Sequence, residues 1–208
     1  MTFRDQHQMP YLRQYRLVGR NVIENMKKIN EVNFEHYSIR ILGAGDVEIF
    51  FGLIDRNRAR LEAFFSGTVA RTRTTADTEV YLAEILVKIE NRTYLPFMIQ
   101  DNATGSYVGF VDIKNIDWNI PKGELGFFID SKYEGKNLST RAFTIFTFYC
   151  FSHLGFNKLF LRTHESNLSA RRLAEKCGFE VEGIIRKDYK TTEGELVDLI
   201  YFGRISLG

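Results

Sequence analysis

The chain has 208 residues, of which 44% are hydrophobic and 14% are aromatic. This composition can fill the core of one folded domain and excludes a disordered tail. The 28 lysine and arginine residues nearly balance the 26 acidic ones, and without long basic clusters this predicts no direct nucleic-acid partner. No apolar run approaches the ~20 residues of a membrane span, and the polar N-terminal stretch lacks a signal-peptide core, so we expect a cytoplasmic protein with no membrane contact.

The N-terminal part is predicted to form a helical arm. Apolar residues recur at helical spacing within 14–33, which is typical of an amphipathic helix. We therefore divide the chain into an arm, 1–36, and a domain, 37–208. The arm is expected to support self-association, as in a homodimer, or to cover the domain or a bound partner.

The domain begins with a strand and two helices. The alternation in "YSIRIL" predicts a strand over 37–42, and Asp46 is placed to cap a helix that runs to Phe65, with a break near Asp55. Thr74 or Thr75 is expected to cap the second helix, 76–91, and the threonine-rich stretch before it is expected to be a mobile loop.

After residue 91 the hydrophobic period becomes that of strands. The predicted elements are three antiparallel strands ("YLPFMIQD", "SYVGFVDIKNI", "KGELGFFID"), a helix from Leu138 to about Gly155, a strand ("NKLFLRT"), a helix ("NLSARRLAEKC") and a final hairpin ("FEVEGIIRK", "ELVDLIYFGRI"). A strand, a long helix and a further strand in succession imply a parallel crossover. The class is therefore α/β (α+β), with a mixed, mostly antiparallel twisted sheet of about seven strands and flanking helices.

The two cysteines carry no sign of redox or metal chemistry. Cys150 and Cys177 lie among apolar helical neighbours and form no CxxC pair, which favours buried reduced thiols and predicts no metal site. His164 ends a predicted strand and is a candidate base, although a structural role is the commoner one.

The segment "YEGKNLSTRA", 133–142, has the composition of an anion site. It joins a strand to the start of a helix, where backbone N–H groups have no partner within the helix. Gly135 permits a positive φ and close approach of a phosphate, and Asn137 tolerates left-handed geometry. On this loop alone, a plain capped helix is the simpler interpretation.

Longer motifs in the same region resemble the GNAT superfamily of acyl-CoA-dependent N-acetyltransferases, and within it the RimJ/RimL-like ribosomal-protein N-terminal acetyltransferases. The matching pieces are "GELGFFIDSKYEGKNLSTRAF", "NKLFLRTHESNLSARRLAEKCGFEVEGIIRK" and "GELVDLIYFGRI", together with "YSIRIL" and "IDRNRARLEAFF" nearer the N-terminus. They cover about residues 37–205. The resemblance implies acetyl-CoA as cosubstrate and a primary amine as acceptor, such as the N-terminus of a ribosomal protein.

The resemblance also implies which residues bind the coenzyme. The pyrophosphate would be held by the loop and helix start, formed by Glu134, Gly135, Lys136, Asn137, Leu138, Ser139 and Thr140. Strand 122–130 would splay from strand 158–164, and the pantetheine arm would lie in the gap, bonded to the backbone of Phe127, Phe128 and Ile129. Asn167 would contact this arm, and Arg172 would border the phosphates. Asn137 stands where the family pattern has glycine or alanine, which is expected to narrow the loop or weaken binding.

Amine attack on a thioester needs an uncharged amine and a proton for the departing thiolate. Glu124, at the start of a strand where many relatives carry a water-assisted Glu, is the predicted base; the alternative is a solvated charge at a strand end. The chain has Ala170 and Tyr189 where RimL-like enzymes have Ser and Glu, with Ser169 and Asp188 one residue away. Tyr189 is the predicted proton donor, since a phenol with a pKa near ~10 can donate at neutral pH.

Three functions remain open at this stage. The first is acetyl transfer to a protein N-terminus, and the second is transfer to a small molecule such as a polyamine or amino sugar, which would require an acidic pocket. The third is a non-catalytic acyl-CoA-binding protein that has lost the family Ser and Glu.

Overall fold

The computed structural model of the chain describes residue 29 and residues 31–206. The predicted arm helix therefore lies mostly outside the described residues, and the boundary after residue 36 stays a prediction. Within the described part of the arm, Val32–Phe34 form a strand rather than the end of a helix. This strand pairs with the next one through a turn at residues 35 and 36, so the sheet begins before the predicted boundary.

Eight strands and six α-helices make up the described residues. The strands are β1 Val32–Phe34, β2 Tyr37–Ile41, β3 Leu95–Asp101, β4 Ser106–Asp117, β5 Lys122–Ile129, β6 Lys158–Thr163, β7 Glu180–Lys190 and β8 Leu196–Ile205. The helices are α1 Val47–Asp55, α2 Arg58–Leu61, α3 Ser66–Arg71, α4 Thr75–Glu90, α5 Leu138–Ser152 and α6 Leu168–Lys176. Short 3-10 turns precede α1 at Ala44–Asp46 and α5 at Ser131–Tyr133.

The strands form one sheet in the order β1-β2-β3-β4-β5-β6-β8-β7. Neighbours are antiparallel except β5 and β6, which α5 connects as a parallel crossover. The predicted fold class is confirmed, with β1 as an eighth strand beyond the seven expected.

The helical region between β2 and β3 is more divided than predicted. The break at Asp55 is confirmed, since α1 ends there and α2 begins at Arg58. The additional helix α3 was not predicted. The threonine stretch is not a loop throughout, because Thr72 is fully buried and Thr74 caps α4, accepting a bond from the Asp77 N–H at 3.1 Å.

Helices cover both faces of the sheet around its centre. Phe50 of α1 packs against Phe110 of β4 at 5.4 Å between ring centroids, and Phe146 of α5 packs against Phe97 of β3 at 4.8 Å. Phe97 and Phe110 point to opposite faces, because each pairs with a neighbour of the other. The core thus fixes β3, β4 and β5 on both sides.

Both cysteines are buried free thiols, as predicted, and burial raises the pKa of each. None of the helices in residues 31–206 combines the length and apolar character needed to cross a membrane.

Candidate active site

The centre of the site is a gap between two parallel strands. β5 and β6 pair only over residues 122–124 and 158–160. Beyond that point β5 continues to Ile129 and β6 to Thr163 without pairing to each other. The predicted splay is therefore present, and it leaves backbone edges on both strands for a bound chain to contact.

The loop at the end of β5 has the geometry of an anion cradle. Gly135 has φ +75°, and Asn137 lies in the left-handed region at φ +58° as the residue before α5. A side-chain atom added at Gly135 would meet nothing within 4 Å, so the space above the loop is open. The first bond closing the helix runs from the Arg141 N–H to the Asn137 carbonyl. The helix therefore does not use the N–H groups of Leu138, Ser139 and Thr140.

These features fit a pyrophosphate. A 15-residue helix directs its N-terminal dipole at the loop, and unused N–H groups converge there. Within the loop, the Glu134 N–H donates to the Ser131 carbonyl at 3.3 Å, and the Lys136 ammonium lies 5.2 Å from the Tyr133 ring centre.

The three predicted pantetheine-binding residues on β5 lie along the gap. Phe127 packs edge-on against an aromatic ring of α5, and Phe128 packs against Phe65 on the other face of the sheet, 5.3 Å between centroids. Ile129 is buried, and its carbonyl accepts a bond from Arg60. The side chains are thus fixed by the core. Backbone groups alternate sides along a strand, and because the Asp130 N–H bonds to Val108 of β4, the backbone of Phe128 also faces β4 while that of Phe127 and Ile129 faces the gap.

Asn167 and Arg172 follow β6, on the opposite side of the gap; Asn167 immediately precedes α6 and Arg172 lies in the middle of that helix. The Asn167 side chain caps the helix, because its Oδ1 accepts a bond from the Ala170 N–H at 3.2 Å. That bond leaves the amide NH2 of Asn167 as a donor. Arg172 is exposed on α6.

Glu124 is the last residue of β5 that pairs with β6, at the point where the gap opens. It is 4% exposed, so the alternative of a solvated strand-end charge is wrong. Its Oε2 accepts bonds from Asn115 at 2.6 Å and from the Arg162 guanidinium at 2.9 Å, and Lys114 lies 3.6 Å from Oε1. A buried carboxylate needs such partners, because leaving it unpaired in a low-dielectric site costs several kcal/mol.

Sequence reasoning missed Arg162, the arginine that contacts Glu124. Arg162 of β6 also contacts Asp188 of β7 at 3.0 Å and the Tyr201 hydroxyl of β8 at 3.2 Å. Burial lowers the pKa of Arg162, but its bonds to Glu124 and Tyr201 outweigh this and raise the pKa above the usual arginine value. The available signal was a charged residue inside the apolar strand "NKLFLRT".

Tyr189 contacts Ser66, one of the residues that line a cleft beside α2 and α3. Its hydroxyl lies 3.0 Å from the Ser66 Oγ, which links β7 to the start of α3. The cleft has a volume of about 610 Å³ and is lined by Arg58, Glu62, Ser66, Val69, Ala70, Arg73 and Thr192. Phe65, next to Ser66, contacts Phe128 of β5, so the cleft lies beside the gap.

A second buried carboxyl lies one strand away. Asp112 of β4 accepts a bond from the Tyr94 hydroxyl at 2.7 Å and packs against Gly126, its partner on β5. Burial raises the pKa of Asp112, while Lys114 and Tyr94 oppose the rise.

The raised pKa of Asp112 predicts a pH-dependent cost to stability. Because folding favours the protonated carboxyl, the contribution of Asp112 is full below its unfolded pKa of about 3.9 and is lost as the pH rises through the folded value. Asp112→Asn cannot ionise, so the melting temperature of the wild type should fall relative to this variant between pH 4 and pH 8. Thermal unfolding across that range measures the difference, with the exposed Glu193→Gln as the control for net charge. Parallel curves for wild type and Asp112→Asn would contradict the prediction.

Comparison with known proteins agrees with this geometry. Residues 39–180 match the family model described as acetyltransferase (GNAT) domain. The chain is similar to YdaF of Bacillus subtilis (strain 168), classed by name as a ribosomal N-acetyltransferase, with 29% identity over 81% of this chain and 90% of YdaF. It is 32% identical to spermidine N(1)-acetyltransferase of Escherichia coli (strain K12) over 41% of this chain and 46% of that one. The structure of RimL, the ribosomal L7/L12 alpha-N-protein acetyltransferase in complex with coenzyme A, superposes with a TM-score of 0.77 at 12% identity, covering 85% and 98% of the two chains.

Proposed function

Because the chain belongs to the acetyltransferase (GNAT) domain family and is an N-acetyltransferase, we propose that it moves an acetyl group from acetyl-CoA to a protein N-terminus of the ribosomal-protein kind. The gap between β5 and β6, with an anion cradle at one end and a buried carboxylate at the other, is the observation that carries the proposal. A cradle and an open strand edge suit a long anionic cosubstrate.

The chain's part in coenzyme binding is to supply donors. N–H groups of residues 135–140, with the Ser139 and Thr140 hydroxyls, would hold the pyrophosphate, and Arg172 would border the phosphates; the Glu134 N–H, also expected as a donor, is already bonded to the Ser131 carbonyl. The backbone of Phe127, the Ile129 N–H and the amide of Asn167 would bind the pantetheine arm, because the Ile129 carbonyl is bonded to Arg60 and the Phe128 backbone faces β4. When bound, acetyl-CoA supplies the activated acyl group, and no group in the described residues needs to form a covalent bond to it.

Two side chains of the protein would move protons. Glu124 would accept the amine proton through a water at its carboxylate, which stands at the mouth of the gap. Tyr189 would hold a proton at its hydroxyl oxygen for the leaving thiolate. Its 3.0 Å contact with Ser66 supports this role, because a hydrogen-bond partner fixes the position of the phenol.

The acceptor would enter through the cleft between α2, α3 and the β7–β8 hairpin. Arg58, Arg73 and Glu62 line it, and Arg58 is paired with Asp55 at 3.1 Å, so these four side chains together carry no net charge. A polyamine needs several acidic partners for its positive charges, and this lining offers no acidic excess, whereas a peptide N-terminus adds a single charge and a chain that can follow the cleft. This charge balance favours the peptide, although a relative acts on spermidine by name.

The proposal predicts amine-dependent release of free coenzyme A. A panel of N-terminal peptides, spermidine and an aminoglycoside should show release with peptides at a kcat/KM at least ~10-fold above that with spermidine, since one missing acidic partner for a charged amine, at about 1.4 kcal/mol, gives this ratio. A thiol reagent monitors the product. Faster release with spermidine would shift the assignment to a small-molecule enzyme, and binding of acetyl-CoA without release for any amine would support the non-catalytic alternative.

A further inference from the structure

The guanidinium of Arg162 connects carboxylates on two strands at the Glu124 end of the gap. Arg162 stands two residues beyond Phe160, the last residue of β6 that pairs with β5. One of its terminal nitrogens contacts Glu124 on β5, and the other contacts Asp188 on β7. Its side chain is 25% exposed and lies near the Tyr201 ring, 5.6 Å from the centroid. Arg162 therefore joins two strands that share no backbone hydrogen bonds with each other.

An irregularity in β7 brings Asp188 to this position. Ile185 pairs with Leu199 and Tyr189 pairs with Val197, so four steps along β7 oppose only two along β8. Lys187, inside this bulge, has a left-handed φ of +56°, and its N–H donates to Asp198 at 2.9 Å. A bulge turns the next side chain away from the regular alternation.

The bulge also determines on which face of the sheet the Asp188 side chain lies. In a regular strand, a shift of one residue sends a side chain to the opposite face of the sheet. Asp188, one residue before Tyr189, would then point away from the gap. Here its carboxylate instead accepts bonds from Arg162 and from the Tyr201 hydroxyl, the latter at 2.8 Å.

We propose that Arg162 and Asp188 are positioning residues for Glu124. The inference rests on the proposed function, in which Glu124 accepts the amine proton. Arg162 is shared between two carboxylates, so its position depends on both, and a guanidinium holds two anions in a fixed plane. Asp188 and the Tyr201 hydroxyl keep Arg162 from turning fully toward Glu124. The hairpin that borders the acceptor cleft through Tyr189 is thereby connected to the base.

Kinetics of Asp188→Asn test this role. The variant keeps the shape of the side chain and removes its charge, so Arg162 and Glu124 should shift together and kcat should fall roughly 10-fold or more, as expected when a catalytic group is displaced. The acidic limb of the kcat profile should move to lower pH, because a negative charge near the base is lost. The rise in melting temperature on adding acetyl-CoA should not change, since Asp188 lies apart from the cradle.

Glu182→Gln is the matched control. Glu182 pairs with Lys158 at 2.7 Å, joining the same two strands, β6 and β7, at the end away from the gap. This variant should keep the wild-type kcat and pH profile. If Asp188→Asn lowers stability while its kcat and acidic limb match those of Glu182→Gln, the residue is only structural and the inference is wrong.

A second measurement keeps the inference separate from the enzymatic proposal. The free energy of unfolding of Glu124→Gln, Asp188→Asn and the double variant forms a cycle. Each single variant leaves Arg162 one carboxylate, and the double variant leaves it none, so the loss in the double variant should exceed the sum of the single losses. The cycle of Glu124→Gln with Glu182→Gln should be additive. Additivity in both cycles would overturn the link through Arg162 even in an active enzyme, whereas coupling in a protein that releases no coenzyme A would refute only the proposed function.

Discussion

Gly135→Asp is expected to abolish most of the stabilisation that acetyl-CoA gives the folded protein. A ligand at 100 times its dissociation constant stabilises by about 2.7 kcal/mol, which corresponds to roughly 5–11 °C in melting temperature for a domain of this size. The new carboxylate would stand in the open space above a loop whose N–H groups face an anion, and it would repel the phosphates. A thermal shift titration with acetyl-CoA measures the loss.

Gly105→Asp is a control for this change. Gly105 has φ +71° and equally open surroundings in the turn between β3 and β4, so the substitution adds the same charge and similar backbone strain, about 1–2 kcal/mol. The control should lower the melting temperature of the free protein but keep the full rise with acetyl-CoA. An undiminished rise in Gly135→Asp would show that the phosphates bind elsewhere.

The part of the fold that the sequence predicts is the part held by local patterns. The apolar runs of β3, β4 and β5 and the apolar residues of α5 are each visible within one segment, and each agrees with the structure. The short helix α3 has no such pattern, since Gly67 and Thr68 interrupt it. Arg58 stabilises α3 from outside by donating to the carbonyls of Val69 and Thr72, and a contact between separate segments leaves no periodic signal.

The same limit applies to the site. The sequence predicts the cradle because Gly135 and Asn137 are needed for its local geometry, and both have positive φ. Arg162 was missed because its partners lie on other strands, and only the assembled sheet brings them together. Asp188 was noted as one residue out of register, and the bulge at Lys187, which the sequence does not reveal, is what redirects it.

The surroundings of Glu124 bear on how it would act as a base. Asn115, Arg162 and Lys114 already contact its carboxylate, so a water that collects the amine proton must share these oxygens. A rigidly held carboxylate costs little reorganisation when the proton moves, which favours catalysis by a fixed group. Removing the negative charge of Glu124 also disturbs its partner Arg162. The free energy of unfolding of a Glu124 variant must therefore be measured together with its activity.

Glu124→Gln should lower kcat by ~10²-fold or more, in line with the contribution of a general base. The amide keeps the shape of the side chain and should leave acetyl-CoA affinity unchanged, because Glu124 lies outside the cradle. The acidic limb of kcat should weaken or shift, whereas Tyr189→Phe should affect thiolate protonation and leave that limb in place. Steady-state kinetics from pH 5 to pH 9, at saturating peptide and acetyl-CoA, distinguish the effects of Glu124→Gln and Tyr189→Phe.

Asp101→Asn supplies the control for removing a buried carboxylate from this sheet. Asp101 is 6% exposed at the end of β3, where its Oδ1 accepts a bond from the Ala103 N–H, two strands from β5 and at the opposite end of the sheet from Glu124. Its substitution is expected to lower stability and to leave kcat of the folded enzyme near the wild-type value. Full activity and an unaltered pH profile in Glu124→Gln would remove Glu124 as the base. Proton transfer to bulk water, to His164 at the end of β6, or reaction of an amine that arrives uncharged would then account for the chemistry.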